Sequence, residues 1–453
     1  MIKDMTKGTP WKHILFFSLP ILGGMILQLL YGTVDGIVVG NFVGDEAFGA
    51  MNTSVSYSSV LLSIATGLST GCGIVISQFY GAKKTGEMRK AVSTMLLLML
   101  GLGVLITAVG ILTADLVLRY ALGVPEDVFH YASDYMKIYF LGMIFQFLYN
   151  ALAAALRSVG DSKATMKFLL ISSAANIVFD LLFVALFKWG VAGAAIGTVL
   201  AQIISVVVSL LYIKKNHELL WISRKELHFE GAMCKLILKL GIPVAIQTMI
   251  SSLGAFAISR LVATFGSATM AAVAAGGNIE KYAVMPNIAF SSGMATYAGQ
   301  NAGAGDMKRV WKGYVSCLVM ALILCVTMSL IIIFLAGSLV GIFGCTGESL
   351  AFGIEYLRFM AGVLFLMTML FVSRGMLQGV GDVSITTVIT FVTLAIRVVF
   401  AYSTADYFGA PIIYICMGLD FAIGAGFYVI RLASGKWKKK VLIKKDPEPE
   451  VAE

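Results

Sequence analysis

The sequence is poor in charge. Asp, Glu, Lys and Arg make up 13% of its 453 residues, against roughly 25% in soluble chains, which excludes water as the main solvent. No polar stretch is long enough to form a soluble domain. The first apolar run, Ile14 to Val39, has no A-x-A-like cleavage site, so it is expected to stay as a helix rather than leave as a signal peptide. Cys72, Cys234, Cys317, Cys325, Cys345 and Cys416 show neither C-x-x-C nor metal spacing and imply neither a disulfide framework nor zinc. No H-E-x-x-H, Walker A or dinucleotide-type glycine context occurs, which argues against a metalloprotease and an ATP-driven pump.

What is present is apolar length. The chain is 58% hydrophobic, with mean hydropathy +0.88. A bilayer core about 30 Å thick needs around 20 apolar residues per helix, and such runs recur from end to end. They predict an all-α membrane protein of twelve transmembrane helices, the fourth over 130–156 and the fifth over 165–187. With the N-terminus cytoplasmic, most of the 34 Lys and Arg fall in loops and tails of that side, and only Arg119, Lys137, Lys188 and Arg358 on the other. Arg260, Lys281 and Arg397 are left at membrane depth. The net charge of +9 therefore reports topology rather than nucleic-acid binding, with both termini cytoplasmic in the inner (plasma) membrane.

The chain repeats. Leu19-Pro20-Ile21 matches Ile242-Pro243-Val244, Gln78-Phe79-Tyr80-Gly81-Ala82 matches Gln300-Asn301-Ala302-Gly303-Ala304, and Val159-Gly160-Asp161 matches Val380-Gly381-Asp382, at spacings of 221 to 223 residues. Two six-helix lobes follow. Six is even, so both lobes enter the membrane the same way and are expected to be related by a pseudo-two-fold axis along the membrane normal. The boundaries are an N-lobe at 1–213, a cytoplasmic linker at 214–235, a C-lobe at 236–435 and a charged tail at 436–453.

With Pro20 followed by Asp35 in the first helix, the Gly299 to Ala304 segment, the Leu156-Arg157-Ser158-Val159-Gly160-Asp161 turn and Asn176-x-x-x-Asp180, the chain resembles the multidrug and toxic compound extrusion (MATE) family. It is most similar to the prokaryotic branch with acidic residues in the N-lobe. It departs from the branch with a carboxylate in the seventh helix, since residues 243–265 hold no Asp or Glu. The resemblance implies a secondary active exporter, a cation/drug antiporter that extrudes amphipathic organic, cationic compounds by alternating access. No enzyme activity or cofactor is implied, and H+ or Na+ is the coupling ion. The partners are small organic substrates and membrane lipid, and the chain is read as a monomer. The alternative is a flippase for lipid-linked saccharides or another lipid-like substrate, kept open by Arg260 and Arg397.

An Asp at a helix centre costs roughly 2.5–3.5 kcal/mol on insertion scales, so one that persists is expected to face a partner or a polar cavity. Asp35 and Asp180 lie at similar depth, Asn176 shares the Asp180 face four residues earlier, and Asn150 and Thr198 are polar at compatible depths. These five form the expected cation-coupling set, with Na+ an option at Asp35, Asp180 and Asn176. Two carboxylates in one desolvated pocket cannot both carry charge cheaply, and one proton or cation relieves them. The expected substrate cavity adds Gln28, Tyr31, Tyr139, Gln247, Met249, Glu280, Tyr282, Met285, Arg397 and Asp420. Aromatic faces attract cations and Met adapts to many shapes, while Arg397 and Asp420 also read as an ion pair holding the C-lobe. Gly67-x-Ser69-x-Gly71 matches a hydrolase elbow but lies inside an apolar helix, where close packing accounts for it. Gly379-x-Gly381-Asp382 resembles an intramembrane aspartyl protease motif, yet it recurs at Gly160-Asp161 as a turn.

Overall fold

The computed structural model describes residues 4–443, apart from the side chains of 45–48, 50, 52–56 and 121. The expected tail, 436–453, therefore lies outside the described residues beyond 443. Twelve long helices run in chain order: α1 (Pro10–Phe42), α2 (Asp45–Gly81), α3 (Thr85–Leu116), α4 (Glu126–Ser158), α5 (Ser162–Asp180), α6 (Gly190–Asn216), α7 (Gly231–Thr264), α8 (Ser267–Gly303), α9 (Met307–Gly341), α10 (Gly347–Val380), α11 (Val383–Phe408) and α12 (Ile412–Ala433). This is the all-α, twelve-helix membrane fold that the apolar runs predict. Among the described residues, eleven of the helices are long and apolar enough to cross a membrane. The exception, α8, carries Glu280 and Lys281 in mid-helix.

Lipid offers the backbone no hydrogen bonds, so each span closes its own i to i−4 ladder. Hydroxyls join that ladder: Thr33 donates to the Leu29 carbonyl (3.0 Å) and Ser251 to that of Gln247 (2.9 Å). The helices also overrun the 20-residue minimum. At 33 residues, α1 is about 50 Å long.

Two compact units divide the chain. The first holds Leu19–Ile76 and Lys84–Ala245, the second Asp4–Ser18, Ser77–Lys83 and the residues from Ile246 onward. In this division α1 and α7 each change unit beside their proline, Pro20 or Pro243. In the first unit, the segment after α6 docks on α3: Arg89 pairs with Glu226 at 2.6 Å and Ser93 donates to the His228 carbonyl at 2.8 Å. In the second, the repeated amide motifs hold chain ends. Gln78 accepts from the Leu442 backbone N–H (3.0 Å), and Gln300 from that of Met5 (2.9 Å).

Gly67 and Gly71 account for the elbow-like string. A Cβ on Gly67 would lie 2.3 Å from the Ala245 nitrogen and one on Gly71 2.5 Å from the Gly241 nitrogen, so α2 and α7 touch backbone to backbone there. Ser69 is buried, with no hydrogen-bond partner for its hydroxyl among the described residues. The Gly-Asp turns are also structural. Gly160 and Gly381 adopt φ of +88° and +94°, which favours glycine, and each Asp is tied to the helix that ends beside it. Asp161 accepts from Ala164 N–H (3.2 Å), Tyr212 OH (2.8 Å) and the His217 ring (2.9 Å), whereas Asp382 pairs with Arg431 (2.6 Å).

Burial alone would push the Asp161 carboxyl up, but those hydrogen bonds outweigh it and hold the group at about 2. A carboxyl lowered on folding stabilises the fold above its unfolded value, and that contribution is lost as pH falls through the folded one. The stability difference between the parent and Asp161→Asn is therefore expected to be full at neutral pH and to vanish between about pH 4 and pH 2; thermal unfolding in detergent across that range checks it. Gly71→Val is expected to cost about 1–3 kcal/mol by overpacking, seen as a lower unfolding temperature, with Ser69→Ala near the parent. Equal effects of the two would overturn the packing account.

Candidate functional site

The site is built in the first unit from α1, α4, α5 and α6. On α1, Tyr31 and Asp35 are four residues apart and share a face, as do Asn176 and Asp180 on α5. Asp35 is 7% exposed and Asp180 fully buried, and their carboxyl groups come within hydrogen-bonding reach of each other. The Asn176 amide lies between Asp180 Oδ2 (2.9 Å) and the Thr198 backbone N–H (3.2 Å); with its nitrogen assigned toward the carboxylate, it donates to Asp180 and accepts from Thr198. One oxygen of each acid, Asp35 Oδ1 and Asp180 Oδ1, has no hydrogen-bond partner among the described residues.

Local sequence makes room for this cluster. A Cβ on Gly197 of α6 would lie 2.8 Å from Asp180 Oδ1 and 3.2 Å from Phe179 Cβ, so a bare backbone is what lets the carboxylate sit there. Immediately after Asp180 the helix widens into a π-helical turn, Leu181–Leu186, a distortion common at functional sites. Tyr135 and Tyr139 of α4 stack at 5.8 Å beside the acids. An apolar shell that includes Val38, Val39, Val184 and Ala194 closes this end of the unit.

A cavity of about 280 Å³ opens beside the cluster, at the lower edge of the size usual for drug-sized ligands. Gln28, Tyr31 and Tyr139, expected in the substrate cavity, line it, as do Pro20 and, from the expected cation-coupling set, Asn150, Asn176 and Thr198. Asn150 donates to the Gln146 carbonyl (2.8 Å) and lines the wall without joining the acids through any hydrogen bond among the described residues. Asp35 and Asp180 lie behind the lining, in contact with it through Asn176.

Arg157 is the residue that sequence reasoning missed. A fourth span drawn over 130–156 stops one residue short of it, yet α4 continues to Ser158 and carries Arg157 into the cavity wall. The signal available was its place in Leu156-Arg157-Ser158, one turn before the Gly-Asp turn that ends the helix.

The remaining cavity candidates lie in the second unit and none lines this cavity. Gln247 donates to the Thr390 hydroxyl (2.6 Å) and the Thr386 carbonyl (3.1 Å) and accepts from Gln378 (3.1 Å). Glu280 accepts from Tyr356 OH (2.8 Å), and Arg397 and Asp420 form an ion pair at 3.6 Å. Met249 and Met285 are half-buried, and Tyr282 is exposed.

A family model, MatE, matches the chain twice, over residues 20–182 and 243–403. The chain belongs to the MatE family. The two matched stretches begin 223 residues apart, the spacing of the sequence repeat. Among MatE relatives, YpnP of Bacillus subtilis, a probable multidrug resistance protein, is 30% identical over 438 residues, covering 96% of this chain and 97% of its own. The multidrug export protein MepA of Staphylococcus aureus is 23% identical over 379 residues, with 83% of each chain covered. A crystal structure of MATE in the bent conformation superposes with a TM-score of 0.90 at 23% identity, covering 96% of this chain and 98% of the other, which shows the shared fold. Membership makes the protein a multi-pass, secondary-active transporter of the alternating-access kind and not an enzyme.

Gly197→Ala is expected to leave the transporter folded while forcing Asp180 out of place, lowering ion-driven dye efflux about tenfold, the equivalent of ~1.4 kcal/mol. Efflux from proteoliposomes beside an unfolding curve measures both, and parental efflux would show that this carboxylate position is not needed.

Proposed function

We propose that the protein exports amphipathic organic compounds in exchange for a proton held between Asp35 and Asp180. The observation that carries this reading is the meeting of two buried carboxyl groups from different helices within hydrogen-bonding reach. A hydrogen bond between two carboxyls needs one proton, and two like charges about 4 Å apart at an effective dielectric of 20 repel by about 4 kcal/mol. One proton removes that repulsion. The names of the relatives, multidrug resistance and multidrug export proteins, support a broad organic substrate class.

Sodium is the second reading, favoured by the unpartnered Asp35 Oδ1 and Asp180 Oδ1, which would suit a cation. What weighs against it is that Asn150 spends its amide N–H on Gln146 and, among the described residues, no hydrogen bond joins it to the acids.

Pro20 lies inside α1, one helix segment below Asp35. Proline removes a backbone hydrogen bond, so the upper part of α1 is the element we assign to moving when Asp35 gains or loses its proton. The tilt of Lys and Arg toward one set of loops supports cytoplasmic termini. Glu280, Arg397 and Asp420 are read as partners that hold the second unit together, since Tyr356 and the ion pair already occupy them. The protein is read as acting as a monomer.

Ethidium loaded into proteoliposomes is expected to leave under an imposed pH gradient and to stay under a sodium gradient alone. In a one-for-one exchange each pH unit sustains about a tenfold dye gradient. Asp35→Asn and Asp180→Asn are each expected to bring that ratio to one while unfolding at the parental temperature. Efflux driven equally well by sodium would transfer the reading to the second ion, and coupled efflux in Asp35→Asn would end it for both.

A further inference from the structure

Arg157 is the one charged side chain among the described residues that line the cavity of the first unit. No hydrogen bond or ion pair engages its side chain among the described residues. The nearest acid in sequence, Asp161, is committed to the Ala164 backbone, Tyr212 and His217. Nor does the guanidinium cap its own helix, because the last carbonyls of α4 have other donors. Ala155 accepts from Val159 N–H, Leu156 from Asp161 N–H, Arg157 from Gly160 N–H and Ala154 from the Ser158 hydroxyl. A cation kept in a membrane-protein cavity with no partner of its own is poised for a ligand.

Its neighbours set the ligand's shape. Thr165, Met166 and Leu169, from the first turns of α5, line the wall beside the Arg157 end, and Asn176 and Thr198 line the end next to the acids. Thr165 and Asn176 are eleven residues apart on one helix, roughly 16 Å. The cavity is thus elongated, with a guanidinium toward one end and a carboxyl pair behind the other.

We infer that Arg157 is the anion subsite of this cavity, and that the preferred cargo is an amphiphile bearing a carboxylate, sulfonate or phosphate at one end. The inference rests on the export reading and deepens it, replacing a purely cationic cargo with one that also carries an acidic group. A planar guanidinium offers two parallel N–H donors to such a group. The Pro20, Ile21 and Met25 side chains on α1 add apolar lining.

The test uses the purified full chain and two probes that share one fluorophore, rhodamine B with its free carboxylate and rhodamine B ethyl ester without it. Fluorescence polarisation is expected to show tighter binding of the acid than the ester. Arg157→Gln is expected to weaken the acid roughly ten- to hundredfold and the ester less than about twofold, with Arg157→Lys in between. Equal loss for both probes, or no loss for either, would overturn the inference, as would a parent that prefers the ester. Ester binding and the unfolding temperature of Arg157→Gln show whether the variant is folded. Reconstitution with phosphatidylglycerol in place of phosphatidylcholine separates the sources of the anion. Displacement of rhodamine B only while Arg157 is present assigns the subsite to a lipid headgroup, and undisturbed binding assigns it to a soluble acid. Because binding is read without any gradient, failure here leaves proton-coupled efflux of the ester intact, whereas failure of the coupling reading leaves the acid-over-ester preference intact.

Discussion

Two carboxyl groups buried side by side in the first unit set the terms for everything around them. Each costs roughly 2.5–3.5 kcal/mol to place at membrane depth, and their mutual repulsion adds to that when both are charged. The surrounding residues reduce this cost without removing it. The Asn176 amide lies against Asp180 and donates to it when its nitrogen is assigned to that side, Gly197 leaves the space the carboxylate occupies, and one oxygen of each acid still has no partner among the described residues. A fully satisfied pair would be inert. A partly satisfied one has a reason to take up an ion and a reason to release it when water or cargo arrives.

The two halves of the chain use one scaffold for different electrostatic ends. Position for position, Arg397 stands 221 residues after Asn176, and its half holds ion pairs where the other holds lone acids. Asp382 is neutralised by Arg431, and Asp420 by Arg397, whereas Asp161 relies on Tyr212 and His217. Paired charges tie helices together and resist change of charge state. Asp35 and Asp180, the acids of the proposed ion site, have no such cationic partner among the described residues.

Much of this was legible in the residues because lipid leaves few options. Long apolar runs have to be helices, so their number followed from length and composition. The expectation that Asp35 and Asp180 are buried came from their places inside apolar helices, and the shared face of Asn176 and Asp180 from the helical period. What escaped was of two kinds. Arg157 sat one residue beyond an apolar window, and hydropathy cannot see that a helix continues past its apolar part. The partners of Gln247 and Asn150 were also hidden, since an amide at membrane depth can satisfy itself on a neighbouring carbonyl as well as on a ligand, and only packing decides which. Gly67 and Gly71 show the reverse case, where an apolar context correctly favoured helix contact over a catalytic serine.

The arrangement also constrains how ion and cargo can sense each other. Asp35 and Asp180 lie outside the cavity lining, so among the described residues a ligand filling the cavity meets the lining and not the acids themselves. Asn176 and Thr198 belong to both environments: each lines the cavity, and the Asn176 amide bridges Asp180 to the Thr198 backbone. An amide has one donor end and one acceptor end, so its orientation depends on whether its neighbour is a carboxylate or a protonated carboxyl. With Asp180 ionised, the nitrogen must face it and the oxygen stays with Thr198; with Asp180 protonated, either orientation is allowed. The charge state of the buried pair can thus be read at the cavity wall as a choice of hydrogen-bond donor or acceptor, and under the proton exchange proposed above that choice would place coupling in one side chain.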